Sequence, residues 1–124
     1  MRKISISCGM VTFEAELLDT MTTRLMLAAM PLGGEANFWG DEIYFPVGFT
    51  AEVEENAKEE VELGTIGYWP PSKAFCMFFG PTPASTSTKP RGYSAVNICG
   101  QILGDFSKWR TISPGDKIKV NILE

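Results

Sequence analysis

The sequence predicts one all-β domain, a closed barrel or a sandwich, carrying one or two short helices. Three observations point that way. Apolar residues recur at every second position in several short stretches, among them Ile4 and Ile6, then Val11, Phe13, Ala15 and Leu17. Turn-forming Gly, Pro, Ser and Asp residues separate these stretches at even spacing. The one stretch with helical spacing runs only from Thr22 to Ala29.

Taken in order, the alternation around Cys8-Gly9 reads as a β-hairpin. Asp19-Thr20 is a good N-cap pair, and Met21, Leu25, Ala28 and Ala29 would share one helical face before Pro31 closes the segment. Leu32-Gly33-Gly34 reads as a loop. Asn37 to Phe45 is a strand interrupted at Gly40-Asp41, and the Glu-rich stretch after Thr50 is a polar connection. Thr65–Trp69 and Ala74–Phe79 are strands joined by Pro70-Pro71-Ser72-Lys73, and a Pro-, Ser- and Thr-rich loop spans Gly80 to Tyr93. Val96–Leu103 is a strand, Asp105–Trp109 a single helical turn, and Ile118, Val120 and Ile122 alternate in a last strand. That makes about seven or eight strands, a count that suits a barrel or a sandwich.

A chain of 124 residues has the size of one domain and buries enough surface to fold without disulfides. Cys8, Cys76 and Cys99 are odd in number and lack CxxC spacing, which fits a reducing, cytoplasmic setting. No apolar run reaches membrane-spanning length, and the polar–apolar alternation from Lys3 reads as a strand and not as a signal peptide. The net charge of −4 is unevenly placed, with twelve acids and four bases over residues 1–63 and three acids and seven bases over residues 64–124. Scattered bases in an acidic chain give no nucleic-acid footprint. There is no His, so a Ser/His/Asp or Cys/His nucleophile lacks its base and a His-ligated metal site is impossible. The three separated Cys give no zinc spacing, and no cofactor is implied.

The most informative stretch is the aromatic hairpin of residues 64–83. With 70–73 as the loop, Trp69 pairs with Ala74, Gly67 with Cys76 and Thr65 with Phe78. One face then carries Ile66, Tyr68, Phe75, Met77 and Phe79, large and apolar throughout, and is the expected core. The other carries Trp69 and Phe78 around the small pair Gly67 and Cys76. That face is either a ligand depression or a surface covered by the helix. Phe13, Ile43, Phe75, Met77, Val96, Ile98 and Val120 are the expected core positions.

Four blocks resemble a known family in order and spacing: Phe38-Trp39-Gly40-Asp41-Glu42-Ile43-Tyr44-Phe45, Gly67-Tyr68-Trp69-Pro70-Pro71, Phe78-Phe79-Gly80-Pro81-Thr82-Pro83 and Val96-Asn97-Ile98-Cys99-Gly100. They are similar to the signature blocks of small prokaryotic cyclophilin-like proteins. The resemblance implies a closed, mainly antiparallel cyclophilin-like β-barrel with a helix or two. It implies no activity. True cyclophilins carry a catalytic Arg in a Phe-His-Arg-Val-like stretch and a Gln in a Gln-Gly-Gly-like stretch, and neither stretch exists here. Arg24, Arg91 and Arg110 lie in no matching motif.

The expectation is therefore a module that binds a small molecule or an extended peptide, without catalytic residues; the alternative is a weak or atypical peptidyl-prolyl isomerase. Trp39, Tyr44, Trp69 and Phe78 would line the site, Pro81 and Thr82 would fold over it, and Glu42 and Asn97 would give polar specificity.

Overall fold

Ten strands, one α-helix and two short 3-10 turns make up residues 2–123, the residues described by the computed structural model. The alternation at the start gives β1 (Arg2–Cys8) and β2 (Val11–Leu17), a hairpin pairing Ile4 with Ala15 and Ile6 with Phe13. The helix α1 (Met21–Ala29) follows. Thr20 caps it: the Thr23 N–H donates to Thr20 Oγ1 at 3.1 Å, and the Thr20 N–H donates to Thr23 Oγ1 at 2.9 Å.

The buried face of α1 differs from the one its apolar residues predict. Thr22, Thr23 and Met26 are buried, while Met21, Ala28 and Ala29 are exposed. Polar bonding turns the helix. The Thr23 hydroxyl donates to Leu18 O at 2.6 Å, and the Thr22 backbone N–H and hydroxyl both donate to Glu54 Oε2.

Leu32-Gly33-Gly34 is not a loop but part of β3 (Leu32–Glu35), which pairs with β10 (Lys117–Ile122). The segment then crosses Ala36 into β4 (Asn37–Trp39), which turns at Gly40-Asp41 into β5 (Glu42–Pro46). Gly40 has φ +59°, and a Cβ there would lie 2.8 Å from Thr82 Cα, so only glycine suits this tip. The Glu-rich connection holds a short strand, β6 (Lys58–Glu60). The aromatic hairpin comprises β7 (Thr65–Trp69), a 3-10 turn at Pro70–Ser72, and β8 (Ala74–Phe78). Its register is the expected one for Gly67↔Cys76 and Trp69↔Ala74, and the ladder ends at Ile66↔Met77; on its other side β7 pairs with β9 (Arg91–Leu103), Thr65 with Gln101. The second 3-10 turn, Ser107–Thr111, precedes β10 and buries Trp109.

The hydrogen-bonded order is β3-β10-β1-β2-β9-β7-β8-β5-β4, with β6 added on β9. The two ends of this path, β3 and β4, are joined through the backbone at Ala36 and not by a ladder. The expected closed ring of pairings is therefore not formed. One extended segment bonds to β10 before Ala36 and to β5 after it, so β3 and β4 are each edge strands with one neighbour and the path ends are linked by covalent chain alone.

Inside lie Ile4, Ile6, Phe13, Leu17, Ile43, Phe45, Ile66, Tyr68, Phe75 and Met77, with Met26 entering from the helix. The Tyr68 hydroxyl is satisfied there, donating to Phe49 O at 2.9 Å and accepting from the Ala51 N–H at 3.1 Å. Val96 and Ile98 are not in this interior as expected. Val96 is buried in a second cluster with Val61, Ala74, Cys76 and Phe78, and Ile98 is half-buried beside it. A bulge is the reason. Ile66 pairs with Gly100 but Gly67 with Ile98, so Cys99 is an extra residue on β9, and alternation reverses across it.

Candidate functional site

The outer face of the sheet is built by cross-strand rows. Side chains directly opposite one another in antiparallel strands share a face. Trp39 stands opposite Glu42, and Glu42 opposite Phe78. Tyr44 stands opposite Cys76, and Cys76 opposite Gly67. Trp69 stands opposite Ala74. The intervening residues Ile43, Phe45, Tyr68, Phe75 and Met77 point into the core. Five residue pairs thus place two tryptophans, a tyrosine, a carboxylate and a thiol on one surface.

That surface holds a cavity of about 160 Å³, lined by Trp39, Glu42, Tyr44, Trp69 and Cys76 from β4, β5, β7 and β8 and by Gly92, Tyr93 and Val96 from β9. Tyr93 is 75% exposed and stands at its edge. Its ring meets Trp39 at 6.1 Å and 67°, and Trp69 at 5.9 Å and 77°, so two edge-on contacts join three rings into walls. The Trp69 indole N–H donates to Ser94 Oγ at 2.7 Å, which holds that ring in place.

Among the described residues Glu42 is the one carboxylate of the cavity lining, 7% exposed. Burial raises its pKa from the usual 4.5 to about 7, and a hydrogen bond with Cys76 offsets part of the rise. Burial, and then the neighbouring Glu42, push the Cys76 thiol well above its ordinary value. Among the described residues, no Lys or Arg lines the cavity. Arg24 pairs with Asp19 at 2.9 Å, Arg91 with Glu59 at 2.6 Å, and the Arg110 guanidinium lies 4.6 Å from the Trp109 ring centroid.

The expected site residues separate into two groups. Trp39, Glu42, Tyr44 and Trp69 come together, whereas Phe78, Pro81, Thr82 and Asn97 do not line the cavity. Phe78 shares the face but is fully buried in the outer cluster. Pro81 is exposed, and its carbonyl accepts from the Asp41 N–H at 3.0 Å, so the Pro-rich loop is tied to the β4–β5 tip. Thr82 is buried, and its hydroxyl donates to Arg91 O, anchoring that loop where β9 begins. Asn97 is fully buried on the opposite face of β9, where its Nδ2 donates to Thr22 Oγ1 at 3.0 Å and Glu52 O at 2.8 Å. Its Oδ1 accepts from the Glu54 N–H at 2.9 Å, so the amide is committed to structure.

The covering of the Trp69 face also differs from either expectation. The helix sends Met26 to the core instead. The space beside Gly67 is filled by β9: a Cβ there would lie 3.1 Å from Val96 Cγ2 and 3.3 Å from Asn97 O. The opening lies further along, between Cys76 and Tyr93. Tyr93 was not legible as a site residue, because its place depends on β9 starting at Arg91. The one signal in the sequence is a large aromatic residue just ahead of the Val96 run.

A second concavity of about 350 Å³ lies elsewhere, lined by Glu16, Leu18, Glu62, Gln101 and Leu103 among others, without aromatic side chains. Among the described residues, no group of three His, Cys, Asp or Glu could hold a metal ion, and no helix is long and apolar enough to cross a membrane.

An antiparallel sheet wrapped around an apolar interior, with one short helix, defines a small β-rich domain of cyclophilin-like fold. The chain belongs to the Cyclophilin-like family, whose model matches residues 2–121. The solution structure of the hypothetical protein AF2241 from Archaeoglobus fulgidus is similar over 97% of this chain and 93% of that one, with 38% identity and a TM-score of 0.82. The structure of McbB in complex with tryptophan shares the fold, with a TM-score of 0.72 and 13% identity over 95% of this chain and 44% of that one. No curated protein matches the chain.

Proposed function

We propose that this domain is a binding module for a small molecule, or for one side chain of an extended peptide, taken into the Trp39–Trp69–Tyr93 pocket without a catalytic step. The observation that carries this reading is the pocket's composition: aromatic walls in mutual edge-on contact, with the Trp69 ring held by Ser94, around one buried carboxylate among the described residues. Convergent apolar walls with one polar group are what small-ligand sites offer. The volume of about 160 Å³ suits a group the size of one side chain or a benzene ring. The three buried free thiols suit a reducing compartment.

A second reading is a weak prolyl isomerase, since the family is cyclophilin-like and an apolar pocket could take a proline ring. Against it stands the arginine placement: catalysis of this kind needs a donor to polarise the prolyl bond, and each of Arg24, Arg91 and Arg110 has another partner. Two parallel assays distinguish the readings. Compounds and Xaa-Pro peptides are screened for a rise in Tm, and the same peptides are assayed for isomerisation. The binding reading expects a rise in Tm that Tyr93→Ala abolishes, with isomerisation near the uncatalysed tens to hundreds of seconds. Rapid isomerisation lost on replacing one arginine would overturn it.

A further inference from the structure

The geometry points to an alkylated ammonium group as the chemistry this pocket recognises: a cationic, methyl-rich head seated between the Trp39, Trp69 and Tyr93 rings and facing Glu42. The inference rests on the binding reading above and specifies its ligand.

The walls favour a cation. Tyr93 meets Trp39 and Trp69 edge-on at 67° and 77°, so the rings form a box and not a stack. Ring faces attract a desolvated cation, most strongly for Trp. The lining favours positive charge too, since among the described residues Glu42 is its one carboxylate and no Lys or Arg lines it. A buried carboxylate hydrogen-bonded to a thiol and facing no cation is costly to ionise, and an incoming cation supplies the missing counter-charge. The methyl groups follow from hydrogen-bond accounting. A bare ammonium brings three donors, and beyond Glu42 the side-chain acceptors of the lining are only the weakly accepting Tyr44 and Tyr93 phenol oxygens and the Cys76 sulfur, set among ring faces and Val96. The Trp69 N–H is itself a donor, already used on Ser94. A fully alkylated head brings no donors and fills a space of about 160 Å³ with methyl surface.

Ionised Glu42 is the form that attracts the cation, so affinity should rise as pH passes upward through about 7. The titratable side chains facing it are Tyr44 on β5, Cys76 on β8 and Tyr93 on β9. The Cys76 thiol stays protonated through that range.

The test titrates the full chain with tetramethylammonium chloride and, separately, with tert-butanol as a neutral probe of similar shape, at constant ionic strength. Indole N–H signals report occupancy. The expected result is movement of the Trp39 and Trp69 signals with tetramethylammonium, at least tenfold weaker binding of tert-butanol, and tetramethylammonium binding several-fold and up to about tenfold tighter at pH 8 than at pH 6, the ratio of ionised Glu42 for a pKa of about 7. Glu42→Gln should lose the preference for the cation and its pH dependence. Tyr93→Ala, at an exposed position, should weaken tetramethylammonium binding without unfolding the chain. Equal binding of both probes would overturn the cation inference and leave the pocket a binding site. A response to neither probe, in a chain whose Tm still rises with another compound through Tyr93, would also overturn it. No response to these probes and no Tyr93-dependent compound would overturn both readings.

Discussion

Replacing Glu42 with Gln should stabilise the protein at neutral and alkaline pH. The carboxyl is buried beneath aromatic rings, and its pKa is raised from 4.5 to about 7. The folded state therefore holds this proton over a range where the unfolded chain has released it, and stability falls as pH rises from about 4.5 to about 7. A separation of about 2.5 pH units at 1.36 kcal/mol each corresponds to about 3 kcal/mol in full, of which about 2.5 kcal/mol falls between pH 5 and pH 8. Gln keeps the shape and cannot ionise. Urea unfolding of both proteins at pH 5 and pH 8 measures the effect as a difference of differences, which cancels the titration of every other group. The wild type should lose about 2.5 kcal/mol more than Glu42→Gln over this interval. Identical pH dependence in the two proteins would refute the reasoning, because it would mean that Glu42 is solvated or carries a counter-charge.

Three further substitutions test the frame around the pocket. Phe75→Ala should cost ~3–5 kcal/mol in chemical unfolding, because Phe75 is fully buried with its ring 5.3 Å from Phe45; a loss under about 1 kcal/mol would mean that the hairpin faces are reversed. Gly67→Leu should cost ~1–3 kcal/mol or more, since Val96 and the Asn97 carbonyl already occupy the space its side chain would need; a neutral result would place an open depression at Gly67. Asn97→Ala should cost ~1–3 kcal/mol by stranding the Glu54 N–H and the Glu52 carbonyl. Hydrogen exchange at the Glu54 amide should quicken with it, and unchanged protection would show that the Asn97 amide is dispensable.

What the sequence disclosed follows from how local each cause is. The aromatic hairpin was legible because alternation and a four-residue Pro-containing loop set both its register and its faces, and Gly67↔Cys76 and Trp69↔Ala74 follow. The same logic brought Trp39, Glu42, Tyr44 and Trp69 to one surface. The failures arise where tertiary pairing overrides pattern. Gly33-Gly34 and the charged Lys58–Glu60 carry no strand signal, yet β10 and β9 recruit them as edges. The helix buries Thr22 in preference to Ala28 and Ala29 because Glu54 and Asn97 bond to its hydroxyl. The bulge at Cys99 turned Val96 and Ile98 to the outer face of the sheet, where Val96 is buried as expected but in a second cluster and Ile98 is half-buried, a reversal that no alternation rule anticipates. Asn97 then serves the loop at residues 52–54 in place of a ligand.

The central claim, that ligands enter the Trp39–Trp69–Tyr93 pocket, is open to one direct measurement. The chain has three tryptophans, and they form a built-in comparison. Trp39 and Trp69 line the pocket, whereas Trp109 is buried in the core with its ring stacked 5.2 Å from Phe79. Each gives a separate indole N–H signal in a ¹⁵N-labelled sample. The chain is titrated with each compound that raises its Tm. The account predicts that the Trp39 and Trp69 signals move together and saturate with the Tm shift while Trp109 stays still. Saturable stabilisation that leaves both of those signals unmoved, or moves Trp109 alone, would place binding elsewhere and contradict the account.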